Sequence, residues 1–336
     1  MPRQTKEFIY AWEALSGRGE EKAGWRGIPV TSAGVCELLA ARRFPGNQEA
    51  LLARFPMARP SSSERLPEGK GFEVLRADPF GDGTSWIALS RKESGSPELF
   101  AEMVSDVAGA MDASAAEDDA DILKAMLRRV RMWQQFMSRG MGPLSPEAEL
   151  GIAGELYFII LLLEAGISPG VVLSGWVGPD DAPQDFLIGD GAVEVKATMS
   201  TSGFPVKIGS LEQLDDSTTA PLFLAAIRFL GGDGGATLPE MVVDVEHLLS
   251  DEPGAIESLR ERLMIAGYSS AQASHYSRRF EPKELRIFTV KDGFPRLTAA
   301  AVPVGVTRTT YEINLDHATV FLSDFDAALS KLGATE

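Results

Sequence analysis

The chain has 336 residues, room for two domains or one large one. Hydrophobic residues make up 44% and charged residues 24%, an ordinary globular balance, and the longest uninterrupted apolar run, 156–163, falls far short of the roughly 20 residues a membrane-spanning helix needs. A single cysteine, Cys36, excludes an internal disulfide, and the first residues lack the apolar stretch of a signal peptide, so a cytoplasmic protein is expected. The three histidines (His247, His275 and His317) have no zinc-ligand spacing. The net charge of −16 works against a protein that grips DNA unaided, because phosphate neutralisation supplies most of such affinity. Basic residues must therefore cluster locally, or a partner must bring the DNA.

Residues 1 to about 95 read as irregular and strand-rich, with half-buried strands expected around 71–75 and 85–89 and a Pro- and Ser-rich loop over 57–71. Leu99, Met103, Val107 and Met111 recur at four-residue steps behind Pro97, which predicts a helix over 97–111. A second helix is predicted over 121–138, with Ile122, Met126, Val130 and Trp133 on one face. Arg128, Arg129, Arg131 and Arg139 read first as a solvated face that complements the helix C-terminal dipole, and second as a phosphate-contacting patch. Gly140-Met141-Gly142-Pro143 breaks the pattern and marks a boundary. Residues 1–140 are expected to form a recognition or partner-binding module, and 141–336 a second domain with its core at 145–230.

Ser145 suits a helix N-cap, Pro146 the first helical position, and Glu147 and Glu149 the first turn, so a helix is predicted to about residue 165, ending at Gly166. Strands are expected at 171–176, 185–188, 192–198, 204–208 and 221–230, with a short helix at 209–215 between the last two. Helices near 238–250, 254–266 and 323–332 and strands near 285–290 and 309–315 complete the chain. The class is mixed α/β or α+β.

Between Gly151 and Leu163 the only charged residue is Glu155. A helix apolar all round is buried, and a carboxylate there must be paired, protonated or bound to a cation. Gly151 and Gly154 would let that helix approach a sheet closely. Further on, Asp190-Gly191 is a type I′ hairpin signal. With that loop Ile188 faces Val193, Leu187 faces Glu194, Phe186 faces Val195 and Asp185 faces Lys196. Alternation then puts Asp185, Glu194 and Lys196 on one face and Phe186, Ile188, Val193, Val195 and Ala197 on the other, and a slip of one residue would separate Asp185 from its companions. Two carboxylates at cross-strand spacing can bracket hard cations, and a nearby ammonium can orient water or stabilise developing charge. The bland alternative is a surface ion pair between Asp185 and Lys196, which is worth little. Glu-x-Lys alone is weak, since it recurs at Glu20/Lys22, Glu68/Lys70 and Glu281/Lys283; the instance at Glu194/Lys196 gains from its apolar strand, its aspartate-bearing partner and the preceding helix with an isolated glutamate.

The order of a Glu-bearing helix, a strand with Pro183-Gln184-Asp185, and a strand with Glu194-Val195-Lys196 resembles the core of the PD-(D/E)XK nuclease superfamily. Gly151-Ile152-Ala153-Gly154-Glu155-Leu156, Asp185-Phe186, Ile208-Gly209-Ser210-Leu211-Glu212-Gln213-Leu214, Phe294-Pro295-Arg296 and Tyr311-Glu312-Ile313-Asn314-Leu315 resemble, more closely, a bacterial family of PD-(D/E)XK proteins of unassigned function, over nearly the whole chain. The resemblance implies a restriction-endonuclease-like core, a central mixed sheet flanked by helices. It implies a Mg²⁺-dependent DNA endonuclease (Mn²⁺ substituting), found in restriction or phage-defence clusters beside a methyltransferase or ATPase. Glu155, Asp185 and Glu194 would hold metal, Lys196 would complete the catalytic set, and Gln213 and Ser210 would support the ligands or touch DNA. Double-strand cleavage needs two sites, hence a possible homodimer. The competing expectation is a catalytically silent subunit of the same fold that binds DNA or a partner protein. No nucleophile elbow or phosphate-binding loop supports another hydrolase class.

Overall fold

The computed structural model of the chain describes residues 5–16, 22–61, 63–138 and 142–334. The chain divides into two units between Met141 and Gly142. Arg139 of the expected arginine patch, and Gly140 and Met141 of the expected boundary, lie outside the described residues.

The first unit contains α1 (Thr5–Leu15), β1 (Gly24–Ala33), β2 (Cys36–Phe44), β3 (Gln48–Arg54), β4 (Phe72–Ala77), β5 (Trp86–Arg91), α2 (Pro97–Ala113) and α3 (Asp119–Ser138). Its five strands form one antiparallel sheet in the order β1-β2-β3-β5-β4. No helix is expected from the sequence before residue 97, yet α1 is present. Phe8 and Trp12, one turn apart, are its buried residues, and Trp12 Nε1 donates to Ala50 O at 3.0 Å on β3. Both long helices fall where periodicity puts them, and Ser96 Oγ caps α2 by accepting the Leu99 N–H. Arg128 and Arg131 are exposed, but Arg129 is a correction to the solvated face. It is 2% exposed and lies 3.6 Å from Asp106, which also accepts the Trp133 indole N–H at 2.7 Å.

The second unit runs α4 (Pro146–Glu164), α5 (Pro169–Gly175), β6 (Phe186–Ile188), β7 (Gly191–Thr198), β8 (Pro205–Ile208), β9 (Leu222–Leu230), β10 (Ala236–Thr237), α6 (Leu238–Leu248), α7 (Pro253–Ala266), β11 (Arg279–Val290), β12 (Tyr311–Asn314), β13 (Leu322–Ser323) and α8 (Phe325–Leu332). Strands β10-β11-β9-β7-β6 form a mixed sheet, with β7 and β9 parallel and the other pairs antiparallel; β13 adds to β11, and β8 pairs β12 separately. The fold is thus mixed α/β. No helix among the described residues is long and apolar enough to cross a membrane.

Helix α4 is apolar all round because it packs on β7 and on α6. The approach to β7 depends on Gly154, where a Cβ would sit 2.9 Å from Ala197 Cβ; Gly151 faces open space and plays no such part. Ser145 Oγ accepts the Ala148 N–H at 3.2 Å, and Gly166 ends the helix with φ 84°.

Two expected elements are corrected. Residues 171–176 do not form a strand: α5, opened by Pro169, occupies them as far as Gly175, and only Trp176 makes an isolated bridge, to Phe186. The β-branched pair Val171-Val172 is overridden because Val172 and Leu173 bury against the core as a helical turn. Residues 209–215 are turns rather than a short helix. Gln213 Oε1 accepts the Gly209 N–H at 2.7 Å and closes the segment as a loop.

The hairpin is corrected in register. Phe186 faces Val193, Leu187 faces Ala192 and Ile188 faces Gly191, so the loop is Gly189-Asp190, two residues from the expected pairing. Gly189 takes φ 56° at the first loop position while Asp190 stays out of the left-handed region, the demand of a II′ rather than a I′ turn. Tertiary contacts select it. Asp190 N–H donates to Leu332 O at 3.1 Å, and a Cβ on Gly191 would run into the Pro221 carbonyl and the Leu332 side chain. A shift of two keeps every side chain on its face. Phe186, Ile188, Val193 and Val195 still bury in the core under α4, with Ala197 packed against it.

Candidate active site

Strand β7 is held on both sides, by β6 and by β9, and its burial is nearly continuous. Glu194 sits in its middle and is completely inaccessible. Lys196, two residues on and so on the same face, places Nζ 2.5 Å from Glu194 Oε1. That contact is a close, charge-assisted pairing of the ammonium with Oε1, and the other carboxylate oxygen of Glu194, Oε2, has no hydrogen-bond partner. The ion pair of Lys196 is therefore with Glu194, in place of the Asp185–Lys196 pair that the expected register would favour. Lys196 is also the only Lys or Arg between residues 142 and 206, a stretch that contains nine Asp and Glu up to Glu194.

Asp185 lies just before β6. In the observed register it continues opposite Glu194 rather than Lys196, and its Oδ2 accepts the Val195 N–H at 2.8 Å. Glu155 comes from α4, and its Oε2 accepts the indole N–H of the fully buried Trp176 at 2.5 Å. The four side chains perturb one another. Burial, then the Asp185 charge, pushes the Glu155 carboxyl up to about 8 against the opposing pull of the Trp176 bond and Lys196. Burial also raises Asp185, despite Lys196 and the Val195 amide. Burial and the neighbouring carboxylates raise Glu194 well above the carboxylate range. Burial would lower Lys196, but Glu194, Asp185 and Glu155 outweigh it and hold it above its ordinary value.

Three residues escaped the sequence reading. Trp176 clamps Glu155. Gly178 fits against the same pair, since a Cβ there would lie 2.9 Å from Asp185 Oδ1 and 3.2 Å from Glu155 Oε2. The N–H groups of Val177 and Gly178 both donate to Asp185 O, at 2.8 and 2.9 Å. From outside, Arg262 holds this strap through Trp176 O and an ion pair of 2.9 Å with Asp180. Gln184, 3% exposed, donates to Glu212 O at 2.8 Å and ties the aspartate's strand to the 209–215 loop. The Gly178-Pro179 dipeptide was the only local signal, and it reads merely as a turn. Of the two expected supporting residues, Gln213 spends its Oε1 on its own loop and Ser210 is partly exposed; neither is bonded to the four clustered side chains.

The buried Glu194 and the half-buried Glu155 and Asp185 share one ammonium, so full ionisation would leave an excess of negative charge at a site only partly open to solvent. Such a set is stable only if protonated or joined by a cation. The all-oxygen donor set and the unpartnered Oε2 of the buried Glu194 fit a hard divalent ion such as Mg²⁺. As the side chains stand, Lys196, Trp176 and the Val195 amide take up the acidic oxygens, and among the described residues no three His, Cys, Asp and Glu side chains are arranged to hold a metal.

A helix-borne glutamate, an aspartate and a Glu-x-Lys strand gathered on a mixed sheet define a class, the PD-(D/E)XK proteins. A family model described as "Putative PD-(D/E)XK family member" (DUF4420) matches residues 8–316, and the chain belongs to that family. No curated protein and no solved structure matches the chain.

Proposed function

We propose that the protein is a Mg²⁺-dependent DNA endonuclease, with Mn²⁺ able to substitute, acting in a bacterial restriction or phage-defence system. The carrying observation is the convergence of Glu155, Asp185 and Glu194 around Lys196, with Oε2 of the wholly buried Glu194 lacking a hydrogen-bond partner. Asp185, Glu194 and Glu155 would hold the cation. When bound, it supplies Lewis-acid polarisation of the phosphate and a water of lowered pKa. Lys196, held protonated by its neighbours, serves as a charged donor that orients that water and stabilises charge on the phosphate oxygens, rather than as a base. Ser210 and Gln213 would act from the loop at 209–215, touching DNA. Residues 1–141 would supply recognition of the target or of a partner, such as a methyltransferase or ATPase, and cleavage of both strands would call for a homodimer.

One observation favours the second reading, a catalytically silent subunit that binds DNA or a protein: residues 142–336 carry 28 Asp and Glu against 13 Lys and Arg. The test is nicking of supercoiled plasmid with Mg²⁺ or Mn²⁺, alone and with the products of neighbouring genes. Wild type should cut and Asp185→Asn should not, because asparagine keeps the shape of aspartate but loses the charge a divalent ion selects. Equal activity in both would end the assignment to this site. Inactivity of both with partners present would establish the silent subunit.

A further inference from the structure

The small sheet of β8 and β12 covers the face of β7 that carries Glu194 and Lys196. Ala192 shares that face by alternation, and Leu224 and Ala226 are the β9 neighbours of Glu194 and Lys196. These three pack in one core with Ile208 of β8 and Ile313 of β12. Tyr311, two residues before Ile313 and so on the same side of its strand, packs against that core. Burial raises the Tyr311 hydroxyl against the pull of its bond to Leu297 and of the charges of Arg296 and Lys196, so the start of β12 lies within electrostatic reach of the lysine.

Tyr311 also closes the neck of a loop. Its Oη accepts the Leu297 N–H at 2.9 Å and reaches Leu297 O at 3.4 Å. Residues 297–310 thus leave the fold and return to it beside the cluster, and Thr310 Oγ1 donates to Gly209 O at 3.4 Å, next to Ser210. The loop has internal order. Ala301 N–H donates to Thr298 O at 2.9 Å, and Val306 N–H to Pro303 O at 3.1 Å. The second of these turns has Gly305 at φ 98°, as a type II turn demands of its third residue. It presents Val304 fully exposed, with Val306 exposed behind it. From 293 to 311 there is no Asp or Glu, in a unit that holds 28 of them against 13 Lys and Arg. Arg296 is paired with Asp216 at 2.8 Å, whereas the exposed Arg308 has no acidic partner among the described residues.

We propose that this arm grips double-stranded DNA beside the carboxylate cluster, with Val304 and Val306 against the groove and Arg308 on a backbone phosphate. A polyanion is repelled over most of this acidic unit and can approach where carboxylates are absent. Apolar side chains set against sugars and base edges, with an arginine close by, are a recurrent means of holding a duplex. No aromatic side chain occurs in 297–310, so an unstacked base has no platform there and a stacked duplex is the better fit. The inference rests on reading the cluster as a nuclease site, and its test keeps the two separable.

The test uses the full chain in EDTA at low salt, where no cleavage intervenes. Val304→Cys supplies one accessible thiol, since the native Cys36 is buried. Saturating duplex should slow its labelling by a maleimide several-fold, and should leave unchanged that of Val243→Cys, an exposed position on α6, which packs on α4. In anisotropy titrations of a fluorescein-labelled duplex, Arg308→Gln should weaken binding several-fold and lower the log–log salt slope by roughly 0.9, the share of one phosphate. Val304→Ser should weaken binding with the slope unchanged, because an apolar contact releases no counterion. Val243→Ser with Lys283→Gln, both exposed, should match wild type. The proposal is overturned by absence of duplex binding, by an unprotected thiol at full binding, by an equal loss in the control, or by tighter binding of single strands. Protection that grows with protein concentration in the absence of DNA would overturn it in favour of a second copy seated on the arm. Nicking with Mg²⁺ but no protection would sink the arm alone; protection without nicking would sink the nuclease reading alone.

Discussion

Glu155→Gln offers the sharpest physical test of the cluster. The glutamate carboxyl is pushed from an ordinary 4.5 up to about 8, chiefly by burial and next by the charge of Asp185. A raised carboxyl keeps its proton in the folded state while the unfolded chain has lost it. Wild type without metal therefore has the full contribution of this group below pH 4.5, loses it progressively as pH rises, and has none left above about 8. At about 1.4 kcal/mol per pH unit the loss is on the order of 5 kcal/mol, and a few kcal/mol after allowance for solvent at the residue's partly exposed side. Glutamine cannot ionise, and its side-chain oxygen can still accept the Trp176 N–H. The variant should match wild type at pH 4.5 and exceed it at pH 8.5 by a few kcal/mol, or about 10 °C in melting temperature for a unit of this size. Urea unfolding of both proteins in EDTA from pH 4.5 to 9 measures this directly. Adding Mg²⁺ or Mn²⁺ at pH 8.5 should recover stability for wild type and much less for the variant, because binding to the folded state alone adds stability by mass action. A gap that stays flat across this pH range, or a variant less stable at high pH, would refute an enclosed, mutually repelling carboxylate set.

Lys196→Ala should abolish or greatly reduce nicking while Mn²⁺ binding, measured by calorimetry or electron paramagnetic resonance, persists; loss of metal with the lysine would show that it organises Glu194 rather than acting on water. Gly178→Ala adds a Cβ 2.9 Å from Asp185 Oδ1, so the aspartate must move. Metal affinity should fall about 10- to 100-fold, the range for groups that orient ligands from behind, with unfolding free energy changed by only about 1 kcal/mol. An unchanged Mn²⁺ dissociation constant would show that the strap does not position the carboxylate.

The sequence alone determined what depends on local period and local chemistry. The apolar surround of Glu155 marked α4 as buried before any partner was known, and Ser145 with Pro146 marked its start. Alternation along 185–198 placed Asp185, Glu194 and Lys196 on one face, and it did so despite the wrong register, because parity survives a shift of two. Only the tertiary structure decided the register itself: the Leu332 carbonyl on Asp190 N–H and the Pro221 backbone against Gly191 come from residues far along the chain. It also decided that 171–176 would coil, since burial of Val172 and Leu173 outweighs the strand preference of valine. The clamp of Trp176 on Glu155 and the fit of Gly178 between two carboxylates leave no mark in sequence spacing. They arise because burying charge is costly, and the folded chain meets that cost with whichever donors and close backbone approaches its packing brings within reach.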